Sequence, residues 1–110
     1  MASCMKNIDK AAIVELDKLV EYQDGQIVSK TLVQNKYVSI TLFAFEKGEE
    51  ISEHTACGDA FVTVLEGTGK FTVGGKEFFL NKNQSIVMPA EVPHAVYGEE
   101  RFKFILTVTV

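Results

Sequence analysis

The chemistry available to this sequence centres on two imidazoles. His54 and His94 are its only histidines. Imidazole is the side chain best suited near neutral pH to move a proton, to share a hydrogen bond or to bind a transition metal. Cys57, three residues after His54, brings a thiol, and Asp59 and Glu91 bring carboxylates. A bulge or loop that redirects them would let these three complete a metal shell. Glu53 is adjacent to His54, but alternation along a strand sends it to the opposite side. The sequence carries no nucleophile motif, P-loop or dinucleotide-binding glycine pattern. Gly67-Thr68-Gly69 reads as a hairpin turn, because no helix follows it to cradle a phosphate.

The elements that would position these residues are strands. From Gln26 onward, short apolar runs alternate with Gly, Asn and acidic turn signals, the spacing of a sandwich or barrel. The runs are Ile27–Val33, Tyr37–Phe45, Ile51–Thr55, Ala60–Leu65, Lys70–Val73, Lys76–Leu80, Ser85–Met88, His94–Tyr97 and Arg101–Val110. Gly74-Gly75 is a two-residue hairpin turn, where glycine supplies positive φ without steric cost. Several runs are apolar on both faces: Ile40, Leu42 and Ala44 alternate with Phe43 and Phe45, and Phe102 to Val110 behaves alike. One face then lines the barrel and the other packs on a further layer, which predicts a homodimer. Residues 1–25 form a separate N-terminal arm or short helix. Ile8, Ala12, Leu16 and Leu19 recur at helical spacing with Ile13 and Val20 on the flank, Asn7 stands where a cap belongs, and Asp9 sits awkwardly on the apolar side.

Two stretches resemble the conserved motifs of the cupin superfamily. The first runs from Gly48 through His54 to Gly67, and the second from Asn83 through Pro89 to His94. In that family the motifs read G-x5-H-x-H-x(3,4)-E-x6-G and G-x5-P-x-G-x2-H-x3-N. The resemblance covers 26–110 and implies an all-β, antiparallel jelly-roll (double-stranded β-helix) barrel. It also implies a metal in the barrel mouth, held by three histidines and a glutamate. His54 matches the first ligand and His94 the last, whereas Ala56 and Ala60 stand at the other two positions. Asn83, Glu91 and Gly98 replace the second motif's two glycines and its asparagine. Two imidazoles make a weak metal site, since divalent metals commonly take three or four protein ligands. The expected cofactor is therefore none, or a weakly bound divalent transition metal on His54 and His94, helped by Cys57, Asp59 or Glu91.

The bulk properties set the remaining bounds. The chain has 110 residues, enough for one compact domain. Its net charge is −4, with Lys and Arg scattered singly, so nucleic acid is not an expected partner. No apolar run has the length of a membrane span, and residues 1–10 lack the core of a signal peptide. Two cysteines make no disulfide framework, which fits a cytoplasmic protein. The eight phenylalanines read chiefly as core.

Three functions are then open. The first is a barrel that binds a small, largely apolar molecule, with His54 and His94 at its mouth. The second, implied by the family, is a metal-dependent dioxygenase or isomerase with a reduced two-histidine site. The third is metal-free acid–base isomerisation or epimerisation by a histidine, which lacks an evident carboxylate to orient the imidazole. Whether the protein is an enzyme is left open, and the plain alternative makes both histidines relics inside the barrel.

Overall fold

The structure, a computed structural model, describes residues 4–110. Its strands are β1 (Ile27–Gln34), β2 (Val38–Phe45), β3 (Glu50–His54), β4 (Asp59–Glu66), β5 (Gly69–Val73), β6 (Lys76–Leu80), β7 (Ser85–Met88), β8 (His94–Gly98) and β9 (Phe102–Thr109). They form two antiparallel sheets, one ordered β1-β2-β9-β4-β7 and the other β3-β8-β5-β6. This is the jelly-roll arrangement that the alternating runs imply, with boundaries within a residue or two of the apolar segments.

The sheets close on a shared aromatic core. Phe45, Phe71 and Phe102 are wholly buried and Phe104 nearly so. Phe102 and Phe104 stack at 5.1 Å, and Phe71 of the facing sheet meets both edge-on at 6.0 and 5.6 Å. Edge-to-face and offset contacts of this kind suit the charge distribution of the rings. Gly69 makes room for them: a Cβ there would lie 2.2 Å from the Phe102 ring. Strand alternation places Ala60 and Val62 of β4, Met88 of β7 and Val96 of β8 in the same core.

Residues 7–21 are not a helix. The arm contains one short 3-10 turn, Leu16–Lys18. Asn7 and Ala11 have φ of 60° and 55°, conformations that interrupt a right-handed helix. Asn7 does not cap; its amide donates to the Thr31 carbonyl, while the Lys6 N–H donates to that of Leu32. The apolar spacing instead reflects packing on the outer face of the larger sheet. Val20, with Ile8, Leu16, Leu19 and Tyr22, covers Leu32, Leu42 and Ala44. Ile13, placed on the apolar flank by spacing, is fully exposed. Lys103 is buried beneath the arm and donates to the Asp17 carbonyl at 2.7 Å. Tyr22 donates to Glu66 at 2.6 Å, and Arg101 pairs bidentately with Glu46 beside Asp24.

The second apolar face of β2 and β9 is thus covered by the chain's own arm. No second subunit is needed to cover those strands. Phe61 and Val87, register partners across β4 and β7, stay exposed on the same outer face. Among the described residues, no helix is long and apolar enough to cross a membrane.

Candidate functional site

The two histidines meet at one end of the barrel because of a bulge. β3 and β8 pair Ile51 with Val96 and then His54 with His94. Three residues of β3 are therefore spanned by two of β8. The extra residue turns His54 onto the inner face, which Ile51 and His94 already share. Simple alternation from Ile51 would have pointed Glu53 inward and His54 out. The imidazoles lie 4.3 Å apart between ring centroids, inclined at 66°.

Each ring is fixed by its own strand. His54 Nδ1 donates to the Ser52 carbonyl at 2.9 Å, and His94 Nδ1 to the Val92 carbonyl at 3.1 Å. A carbonyl oxygen only accepts, so each Nδ1 carries the proton. In the neutral form each Nε2 keeps its lone pair, free to meet a ligand. The settings differ: His94 is 4% exposed whereas His54 is open to solvent. His94 therefore forms the inner wall of the mouth and His54 its rim.

The surroundings are mostly apolar. Ala60 is buried between Met88 and Val108, its neighbours across β7 and β9. Val73 of β5 pairs with His94 and packs against the core. The loop before His94 is held by two backbone bonds, Gly74 N–H to Pro93 O and Glu91 N–H to Ala56 O, both 2.8 Å. Asn83 and Glu91, at the family's glycine positions, take φ of 70° and 65°. The turns keep the left-handed geometry without the glycines.

The donor set does not fit the family's metal. Both remaining ligand positions are methyl groups, Ala56 and Ala60. Among the described residues no three His, Cys, Asp or Glu side chains gather where they could hold an ion. Asp59 Oδ1 instead accepts from the Ala90 N–H at 2.8 Å. Cys57 is an exposed free thiol, and the Glu91 side chain is exposed. The proposed helpers are thus near in sequence but do not join the histidines in a cluster. A separate groove of about 550 Å³ lies along the edges of β6 and β7, lined by Glu77, Phe78, Phe79, Leu80, Gln84 and Ser85. It contains neither histidine.

Sequence reasoning passed over one residue of this region. Lys76 opens β6 opposite Val73, one strand beyond the partner of His94. The register signal was present, since a two-residue Gly74-Gly75 turn forces Val73 and Lys76 to pair.

The Cupin domain family model matches residues 41–109. A conserved protein of unknown function from Streptococcus pyogenes is 39% identical, with a TM-score of 0.95 over 98% of this chain and 95% of that one. A cupin superfamily protein from Desulfitobacterium hafniense is 30% identical, with a TM-score of 0.92 over 96% of this chain and 97% of that one. A cupin 2 conserved barrel domain protein from Leptotrichia buccalis is 48% identical and has a TM-score of 0.84. That match covers 86% of this chain and 46% of the other. No curated protein matches.

Proposed function

This chain belongs to the cupin family, and from that premise we propose that it is a small-molecule-binding barrel whose ligand sits against His54 and His94. One observation carries the reading. Each imidazole is pinned through Nδ1 to a backbone carbonyl, which leaves its Nε2 available to a ligand at the barrel mouth. Fixed polar groups on an apolar wall are the usual composition of a small-molecule site. The ligand is small and largely apolar, with a polar group able to donate a hydrogen bond to an Nε2 lone pair.

The two catalytic readings have less support. A metal-dependent reaction needs a donor set larger than two imidazoles, and Ala56 and Ala60 remove the others. Acid–base isomerisation usually draws on a carboxylate to orient the base; carbonyls do that here. A homodimer and a cytoplasmic location belong to the same proposal. The dimer rests on the exposed Phe61 and Val87, the location on the exposed thiol of Cys57.

Thermal unfolding against a panel of small polar–apolar compounds tests the reading, using tag-free wild type and the His54→Ala, His94→Ala double variant. Compounds that stabilise the wild type and not the variant, without stoichiometric metal in either, are the expected result. Near-stoichiometric metal in the wild type, lost in the variant, would overturn it in favour of a metalloenzyme.

A further inference from the structure

The inner face of the smaller sheet carries a row that runs beyond the histidines. His54 pairs with His94, His94 with Val73, and Val73 with Lys76. Four strands therefore place two imidazoles, an isopropyl group and an ammonium side by side at the mouth end. Lys76 shares its face with Phe78 by strand alternation, and its Nζ lies 5.3 Å from the centre of the Phe78 ring. Phe78 and Val73 both pack against the core, so this is the inner face.

The ammonium has no carboxylate partner. Among the described residues Lys76 makes no ion pair, and the adjacent Glu77 is engaged by Lys70 at 3.4 Å. Other lysines are also unpaired, but Lys76 alone stands in the row of the two histidines. Neighbouring strands are about 4.8 Å apart, so His94 and Lys76 are separated by roughly 10 Å along the row. That span, floored by Val73, suits an apolar body a few carbons or one ring long. A single lysine is a compact point charge. It matches a monoanion, whereas phosphate recognition generally gathers several donors or a bidentate arginine.

We propose that the site recognises small organic carboxylates, with the carboxylate at Lys76, the apolar body over Val73 and Phe78, and a hydrogen-bond donor at the far end meeting His54 and His94. This rests on the histidine site being the ligand site, and it names the ligand's class and the residue that selects it. The protein's net charge of −4 offers anions no general attraction, so any preference for an acid must arise locally.

Titration calorimetry with 4-hydroxyphenylacetate and 5-hydroxypentanoate, each beside its neutral amide, tests the assignment. The proteins are wild type, Lys76→Met, Lys76→Arg and the His54→Ala, His94→Ala variant, with circular dichroism confirming the fold of each. Wild type should prefer each acid over its amide by about two- to fivefold, the effect of one partly exposed ion pair. Lys76→Met should erase that preference and Lys76→Arg should keep it. The histidine variant should weaken acid and amide alike. An acid preference that survives Lys76→Met while binding still needs the histidines would overturn the role of Lys76 alone. Binding indifferent to the histidines would overturn the site and the proposal together. Failure of both acids to bind wild type at millimolar concentration would overturn the carboxylate class.

Discussion

At His54 one extra residue in β3 decides which way the imidazole faces. The register passes from Ile51–Val96 to His54–His94 across that bulge. Family spacing located both histidines, yet spacing alone could not show the bulge, because a bulge is a property of the pair of strands. The missing metal ligands were fully legible, since alanine has no donor whatever its surroundings. The poor fit of Cys57, Asp59 and Glu91 was not, because it depends on loop geometry such as the Asp59–Ala90 bond. Ala56→His combined with Ala60→Glu tests where those two positions lie. Ala60 is 2% exposed, so a glutamate there buries a carboxylate and should lower the melting temperature in chelator. Zn²⁺ or Ni²⁺ should restore it, by about 2.7 kcal/mol at a hundredfold excess over the dissociation constant. A melting temperature indifferent to metal would show that the four positions do not converge.

Among the elements, the strands were readable, and so was an N-terminal arm, but not the arm's conformation. Apolar alternation bounded by Gly and Asn turns reports strands directly, and β6 and β7 have the ends that the sequence implies. The arm's apolar residues mimic helical spacing because they meet a flat sheet at irregular intervals, an outcome set by tertiary packing. Its attachment gives a measurable pH dependence. Burial pushes the Tyr22 hydroxyl above its ordinary value of 10.0, and the hydrogen bond to Glu66 adds to this. A group raised in the folded state contributes fully below its unfolded value and loses that contribution as the pH rises through the folded one. Tyr22→Phe should therefore cost about 1 kcal/mol near neutral pH and flatten the stability loss above about pH 10. Urea unfolding of both proteins from about pH 7 to about pH 11 checks this; parallel curves would mean that folding neither buries the Tyr22 hydroxyl nor bonds it to Glu66.

For the molecule as a whole, the question is what meets the larger sheet's outer face. The two-sided apolar strands predicted a second layer, and the arm supplies that layer over β1, β2 and β9. Phe61 and Val87 remain 49% and 53% exposed, and a homodimer would use them. Replacing both with lysine should then shift sedimentation from dimer to monomer at micromolar concentration while leaving thermal stability nearly unchanged. A wild type that sediments as a monomer would exclude the dimer.

The central claim is that the ligand sits against His54 and His94. Backbone amide NMR of the uniformly labelled protein during a fragment titration tests it most directly. Fragments should perturb the amides of His54, His94, Val73 and Ala60, and these shifts should vanish in the His54→Ala, His94→Ala variant. Perturbations confined to Glu77–Leu80, Gln84 and Ser85, in the groove along β6 and β7, would contradict the account.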